Sequence, residues 1–422
     1  MLYLEKKYNM SRTMKDSGIN WIGAIPIEWK ILRFKDLIIS SNGGEVIEKS
    51  FWNSGEELLY TCQKTPMKSD YPCFPQNKRT RQGDILLTRN ASPYIFIPEE
   101  NSIYSNVVQR VKLKDTCNLK YIKEAELLGA LSLIVNGDTI PSYNMETWKN
   151  IFIPFPSRIE QDGISEFLDE KCSIIDIIIK KTKDSINEYM KMKQAVITRA
   201  VTKGIRGDRE YKNSETDWMG NVPKEWTYYR IANLYTERKE QGREDLPILQ
   251  VSIHSGITDH EISDEEADRV FVRSEDRTKY QRVYPGDLAY NMMRAWQGAF
   301  GAVRVEGMIS PAYVAVKPID STILDSRYME ALFRTPMGIE EMHRFSYGVA
   351  DFRLRLYWQK FRDIKVCIPS KEEQIEIADF IDDESKKYDE IISKKKDFIC
   401  EIEKYKKSMI FEYVTGKKEV IN

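Results

Sequence analysis

The sequence predicts an α+β chain with an internal duplication: two mixed α/β domains separated by two long helices that form an antiparallel coiled coil, related by a pseudo-two-fold repeat. Three observations carry this expectation. A long helical block occurs twice, as IPFPSRIEQDGISEFLDEKCSIIDIIIKKTKDSINEYMKMKQAVITRAVTKG from Ile153 and as CIPSKEEQIEIADFIDDESKKYDEIISKKKDFICEIEKYKKSMIFEYVTGK from Cys367. A turn-rich block also occurs twice, KDSGINWIGAIPIEW from Lys15 and KNSETDWMGNVPKEW from Lys212. Both helical copies run from acidic to basic.

Taken in order, the chain divides into a first mixed domain over 1–156, a first long helix over 157–204, a second mixed domain over 205–369, and a second long helix with a C-terminal tail over 370–422. Residues 1–14 read as a polar lead-in. The unit W-[IM]-G-x-[IV]-P-x-E-W reads as a structural clasp at each domain entrance. Its Gly and Pro bend the chain, and its two tryptophans anchor it by burial. In the first domain, Asp84–Leu87, Tyr94–Ile97 and Val107–Leu113 carry strand signals. Leu119–Val135 has helical spacing. In the second, Leu246–Ile253, Asp287–Tyr290 and Ala312–Val316 read as strands and Ser326–Phe345 as helix. The two domains share a local Gly-Asp turn feeding a strand, in RQGDILLTRN from Arg81 and VYPGDLAYN from Val283.

Each long helix opens on an S-x-x-E capping box after a proline, Ser157 to Glu160 and Ser370 to Glu373. Gly204 and Gly416 lie near the stops. Positions 168, 172, 175, 179, 182, 186, 189, 193, 196 and 200 form a seam in which eight of ten side chains are apolar or Cys. Positions 381, 385, 388, 392, 395, 399, 402, 406, 409 and 413 give seven of ten. This is coiled-coil spacing with polar interruptions. From 158 to 176 there are six acidic and two basic side chains; from 177 to 203 there are two and seven. The second helix carries nine acidic and three basic over 371–392, then four and eight over 393–418. Parallel pairing sets like charge beside like. Antiparallel pairing sets acid beside base, and is therefore expected. About 43 residues at ~1.5 Å each give roughly 64 Å of helix. Antiparallel helices of that length are expected to hold the two domains at opposite ends, a ruler suited to duplex DNA.

Composition narrows the class. The chain has 422 residues, 41% hydrophobic and 31% charged, with net charge −1. That length calls for two to three domains. No run of about 18 apolar residues suggests a membrane span, and the N-terminal residues lack the apolar core of a signal peptide. Six scattered cysteines without a C-x-x-C pair fit reduced thiols in a cytoplasm. Only three histidines are present. No P-loop, dinucleotide fingerprint, G-x-S-x-G elbow, H-E-x-x-H or Asn-Pro-Pro-aromatic motif appears. Asp169-Glu170-Lys171 faintly suggests nuclease chemistry, but it lies on the long helix and reads as a solvated face. The expectation is a binding and scaffolding chain with no catalytic, metal or cofactor site of its own.

Candidate DNA contacts lie in the mixed domains. Lys78, Arg79 and Arg81 form a basic cluster suited to phosphate. Thr88, Arg89 and Asn90 follow the first Gly-Asp strand, and Ser142, Tyr143 and Asn144 sit in the loop DTIPSYNMETWKN. In the second domain Asn291, Arg294 and Gln297 occupy the place of Thr88–Asn90, and Arg353 and Arg355 punctuate DFRLRLYW. Arg to guanine and Asn or Gln to adenine are the bidentate base contacts; Ser, Thr and Tyr also reach phosphate.

With these blocks in hand the sequence resembles a known family, the DNA-specificity (S) subunit of type I restriction-modification systems. The resemblance covers Lys15 to about Lys417. It rests on the two clasps, on IPFPSRIEQDGISEFLDE and CIPSKEEQIEIADFIDDE, on TIPSYNMETWKNIFIP, and on GDLAYNMMRAWQGAFG with SPAYVAVKP. It implies two target recognition domains, each reading half of a split double-stranded DNA target. It also implies helices that dock two methyltransferase (M) subunits, with a restriction (R) subunit joining the complex in a prokaryotic cytoplasm and no membrane involved. S-adenosylmethionine, ATP and Mg would then belong to the partners. The segment RNASPYIFIPEEN departs from the family by lacking a glycine after Arg-Asn. Two other readings stay open: the recognition subunit of another split restriction, methylation or phage-defence enzyme, and a coiled-coil interaction protein without DNA binding.

Overall fold

The computed structural model describes residues 12–90, 92–133, 143–243, 245–261, 279–348 and 354–420. The helices described are α1 (Leu119–Leu131), α2 (Met145–Lys149), α3 (Arg158–Lys203), α4 (Ile231–Leu234), α5 (Ser326–Phe333), α6 (Pro336–Arg344), α7 (Trp358–Phe361) and α8 (Lys371–Val414). The chain forms two compact units, Met1–Thr182 with Asp397–Asn422, and Lys183–Lys396. Each long helix is thus shared. The first half of α3 and the last part of α8 belong to one unit, and the remaining parts belong to the other.

In the first unit the clasp is a small antiparallel pair, Met14–Asp16 against Ala24–Pro26. Lys30–Arg33 then pairs with Phe152–Phe155, which leads directly into α3. The domain body is a four-stranded antiparallel sheet in the order Ile38–Gly43, Val108–Leu113, Asp84–Thr88, Ile95–Phe96. Asp84–Thr88 is buried along its whole length. Successive strand side chains point to opposite faces, so this strand serves two cores. Ile85 and Leu87 face α1, the clasp and the long helices. Leu86 faces a second cluster with Leu59, Phe74, Ile103 and Tyr104. That second cluster lies on a three-stranded sheet of Met67–Ser69, Trp52–Tyr60 and Ile103–Tyr104.

The second unit repeats this plan. Tyr211–Asn213 pairs with Asn221–Pro223, and Thr227–Arg230 pairs with Lys365–Ile368. The four-stranded sheet runs Tyr235–Glu237, Tyr313–Pro318, Leu288–Asn291, Phe300–Ala302, the same order as in the first unit. Leu288 and Tyr290 face the helices, and Ala289 faces a smaller core. Small pairs, Val251–Ser252 with Gly256–Ile257 and Gln281–Val283 with Gly307–Ile309, replace the three-stranded sheet.

The expected helix over Ser326–Phe345 is two helices. Thr335 accepts the Gly338 amide as an N-cap, and Pro336 opens α6. A proline has no amide to continue α5 and is well placed at the first position of a new helix. The strand expected over Leu246–Ile253 shortens to Val251–Ser252.

None of the twenty seam positions is exposed. In the first unit Phe167 stacks near Tyr413 at 4.4 Å, and Asp176 pairs with Lys406 at 2.7 Å. Numbers rise on α3 as they fall on α8, so the pairing is antiparallel. In the second unit Tyr189 lies under Lys395 at 5.3 Å, and Lys193 pairs with Asp389 at 2.8 Å. That pairing too is antiparallel, basic half against acidic half, as the charge gradient predicts.

Glu126 on α1 departs from expectation. It is wholly buried, and neither carboxylate oxygen has a hydrogen-bond partner among the described residues. Burial pushes its pKa well above the ordinary value of 4.5, so the group is held neutral. A folded-state pKa above the unfolded one means that the folded state binds the extra proton. The resulting stability is fully present below about pH 4.5 and is lost as pH rises through the folded value. Glu126→Gln should abolish this contribution. In urea titrations at a series of pH values, the wild-type midpoint should fall relative to that of the variant as pH increases. Parallel pH profiles would contradict the burial account.

Candidate nucleic-acid interface

The repeated Gly-Asp turn is a built anchor. The Asp84 carboxylate accepts the Arg81 amide at 2.7 Å and faces the half-buried-to-buried guanidinium of Arg110 at 3.7 Å. Arg110 in turn donates to the Lys78 carbonyl at 3.0 Å and to that of Arg79. In the second unit Asp287 accepts the Tyr284 amide at 2.9 Å and meets Arg238 Nε at 2.6 Å. The hydrogen bond of that pair runs from Arg238 Nη2 to Asp287 Oδ1 at 3.0 Å. Both aspartates are buried. Each therefore closes its own turn and ties it to an arginine of the same sheet, Arg110 on the adjacent strand and Arg238 just after the next strand but one. Neither arginine stood out in the sequence, because the pairing depends on strand order.

Each anchored strand ends in a hairpin, Asp84–Thr88 into Ile95–Phe96 and Leu288–Asn291 into Phe300–Ala302. The two hairpin loops are topologically equivalent, and they carry exposed candidates, of which Arg89 donates to the Asn106 carbonyl at 3.5 Å. In the first loop Arg89 and Asn90 are exposed. The loop is closed by Thr88, whose hydroxyl donates to the Ser92 carbonyl at 3.0 Å and accepts the Tyr94 amide at 2.9 Å. In the second loop Arg294 and Gln297 are exposed, and Asn291 is half-buried with its side-chain oxygen on the Met293 amide at 3.0 Å. The Leu356 amide donates to the Met292 carbonyl at 2.9 Å, which brings the strand-like segment of exposed Arg355 against this loop. Tyr347 bridges Arg355 through the backbone and lies 5.2 Å from the ring of Tyr357. The geometry thus brings the segment of Tyr347 and Arg355 against the loop that carries Arg294 and Gln297. Tyr347 carried no signal in the sequence beyond its residue type.

Other candidates are corrected by their surroundings. Thr88 is fully buried, and both its hydrogen-bonding functions are used in the turn. Tyr143 is also fully buried; its hydroxyl donates to the Ala130 carbonyl at 2.9 Å and its ring packs on Trp148. Arg79 is turned inward, donating to the Asn101 carbonyl at 2.7 Å and to Glu57 at 3.1 Å. Lys78 is half-buried in an ion pair with Glu45. Asn144 is exposed, but its side chain accepts the Thr147 amide at 2.9 Å as the N-cap of α2. Of the basic cluster only Arg81 presents a fully exposed side chain. Ser142 and Arg353 lie outside the described residues. Among the described residues, no group of His, Cys, Asp or Glu is placed to hold a metal ion, and no helix is long and apolar enough to cross a membrane.

Comparison with known proteins finds relatives of this chain. Residues 26–188 match the type I restriction modification DNA specificity domain. Along its length the chain is 24% identical to the type I restriction enzyme MjaVIII specificity subunit of Methanocaldococcus jannaschii, covering 94% of this chain and 95% of that protein. Its fold is similar to a chain from a solved structure concerned with complex assembly and conformational transition of the type I R-M system. There the TM-score is 0.66 at 12% identity, with 93% of this chain and 99% of that chain covered.

Anchors and exposed loop residues should separate in a stability assay. Asp287→Ala strips Arg238 of a buried partner, leaving it only Glu240, and should cost roughly 1–3 kcal/mol. Arg294→Ala and Gln297→Ala should each stay within about 0.5 kcal/mol of wild type. Chemical denaturation of the three variants checks both expectations. A large loss in the loop variants would mean that those side chains support the fold.

Proposed function

We propose that this chain, which carries the DNA specificity domain of type I restriction-modification systems, recognises a bipartite double-stranded target with its two mixed domains and scaffolds catalytic partners along its long helices. The observation that carries this reading is the pair of equivalent hairpin loops. The same sheet topology presents Arg89 and Asn90 in one domain and Arg294 and Gln297 in the other, and each loop is anchored behind by a buried Asp–Arg pair. Exposed Arg, Asn and Gln on a rigid hairpin suit base edges in the major groove. Two such readers within one chain suit a split target.

In this reading the chain is not itself catalytic. Two methyltransferase subunits supply adenine methylation with S-adenosylmethionine, and restriction subunits supply ATP- and Mg-dependent cleavage. The site of action is the prokaryotic cytoplasm, on the chromosome or incoming DNA. The antiparallel seam, whose length is fixed by helix geometry, sets the distance between the half-sites.

Two experiments test it. Exchanging residues 30–152 for those of another family member should change one half of the methylated sequence and leave the other intact, as read by methylome sequencing of a host carrying the whole complex. A change in both halves would sink the modular reading. Adding one seven-residue repeat to both helices should widen the gap between half-sites by about 3 base pairs, since seven residues rise ~10.5 Å. The half-sites themselves should be unchanged, and an unaltered gap would count against the ruler.

A further inference from the structure

We propose that the C-terminal half of α3 is a second DNA-contact element, holding the sugar–phosphate backbone beside the half-site of the second domain through Lys191, Arg199 and Lys203. This rests on the DNA-recognition reading and adds to it a surface outside both hairpin loops.

The three cations lie eight and four residues apart, so they share one helical face with Ala195 between them. From Lys191 to Lys203 the stripe spans about 18 Å. It borders an open groove of about 570 Å³ that runs from Lys191 to Lys203 along α3 and is closed on one side by Pro336, with no acidic side chain in its lining. Lys191 and Arg199 are exposed. Lys191 makes only a solvated pair with Glu188 at 2.9 Å, and such pairs hold a side chain weakly. Lys203 is positioned over the Tyr211 ring at 5.6 Å and donates to the Asn221 carbonyl.

A neighbouring groove of about 600 Å³ makes the contrast. There Glu330 lies between Arg304 and Arg334 at 3.1 and 3.7 Å, and Asp389 takes Lys193 at 2.8 Å. In that groove carboxylates stand among the cations, whereas no acidic side chain lines the groove beside the α3 stripe.

Continuity with the reading face points to nucleic acid. Helix α6 begins at Pro336 beside the stripe and ends at His343 and Arg344. The His343 ring lies 5.6 Å from Trp296 in the second hairpin loop. One nine-residue helix, about 13.5 Å long, thus separates the stripe from Arg294 and Gln297. A duplex read at that loop would pass the stripe within its own width. A protein partner would instead want buried aliphatic or aromatic anchors, and the groove lining offers only Ala195 and Pro336 as apolar residues.

The test uses the chain in complex with its methyltransferase subunits. The probes are a duplex carrying the target sequence found by methylome sequencing and a scrambled duplex of equal length. Affinity is measured from 50 to 200 mM salt. Combining Lys191→Gln, Arg199→Gln and Lys203→Gln should lower the slope of log affinity against log salt by roughly 2–3 on both duplexes, leaving their affinity ratio unchanged. Arg199→Gln alone, on an exposed position, should lower it by about 1 without moving the Tm. An unchanged slope with target discrimination intact overturns the proposal and leaves the DNA-recognition reading standing. Failure of the triple variant to assemble with methyltransferase subunits in gel filtration overturns it in favour of a protein-docking face. Absence of salt-dependent binding by the wild-type complex sinks both.

Discussion

The structure depends on a seam whose two helices run in opposite directions. Three seam positions are lysines, and two of these polar interruptions, Lys193 and Lys406, are related by the repeat. They occupy equivalent places in the duplicated helix, and each meets the equivalent aspartate of the other helix, Asp389 and Asp176. The four side chains are partly solvated, so their net contribution to stability is about 1 kcal/mol or less per pair. Their effect is on register. A slip of one turn along either helix would bury an unpaired ammonium against Ile or Tyr. The buried isoleucines at 175, 179, 186, 381 and 392 supply the attraction, and the lysines select which alignment receives it.

The same reciprocity fixes the helix ends. Gln161 and Gln374 are both fully buried at the start of their helices. Gln161 accepts the Asn118 amide at 2.8 Å and donates to the Pro156 carbonyl at 3.1 Å. Gln374 accepts the Asp325 amide at 2.9 Å and donates to the Pro369 carbonyl at 2.9 Å. Each domain body is thereby fastened to the helix that follows it. At the other end the hydroxyl of Tyr121 donates to the Val414 carbonyl and that of Tyr328 to the Val201 carbonyl, both at 2.9 Å. Each domain thus caps the C-terminal end of the helix that does not follow it, satisfying a carbonyl that the last turn leaves free. Gly204 and Gly416 adopt left-handed backbone there, with φ of 73° and 69°. A Cβ on Gly416 would come within 2.5 Å of Pro26, so the clasp can close only over a glycine.

Much of this was legible because duplication turns one sequence into two readings of the same fold. The clasp, the Gly-Asp turn and the seam each appeared twice, and shared positions in the repeat became shared positions in the structure. What stayed hidden was decided by contacts distant in the chain. The Arg79 guanidinium reads as a phosphate ligand until Asn101 and Glu57 surround it. Tyr143 reads as a loop residue until α1 supplies the Ala130 carbonyl. Glu126 lies on a helix whose other acidic residue, Glu124, is half-buried beside Lys123, and its residue type does not mark it as wholly buried. The three-stranded sheet beside the first domain escaped because Trp52–Tyr60 is mostly polar and half-exposed, without the alternation that marks a strand. The exposed loop residues Arg89, Asn90, Arg294 and Gln297 were found because they follow a motif whose own role is structural.

The two units differ in how the ribosome delivers them. The second unit is one uninterrupted stretch of chain, Lys183–Lys396, while the first awaits Asp397–Asn422. Its clasp is closed by Lys417, whose ammonium donates to the Ile22 carbonyl across 395 residues of sequence. At elongation rates of about 5–20 residues per second, those two groups are synthesised roughly 20–80 s apart. The domain that begins synthesis first is therefore completed last. Through that interval the apolar edge of its clasp, with Trp29 at its centre, has no helix end to cover it.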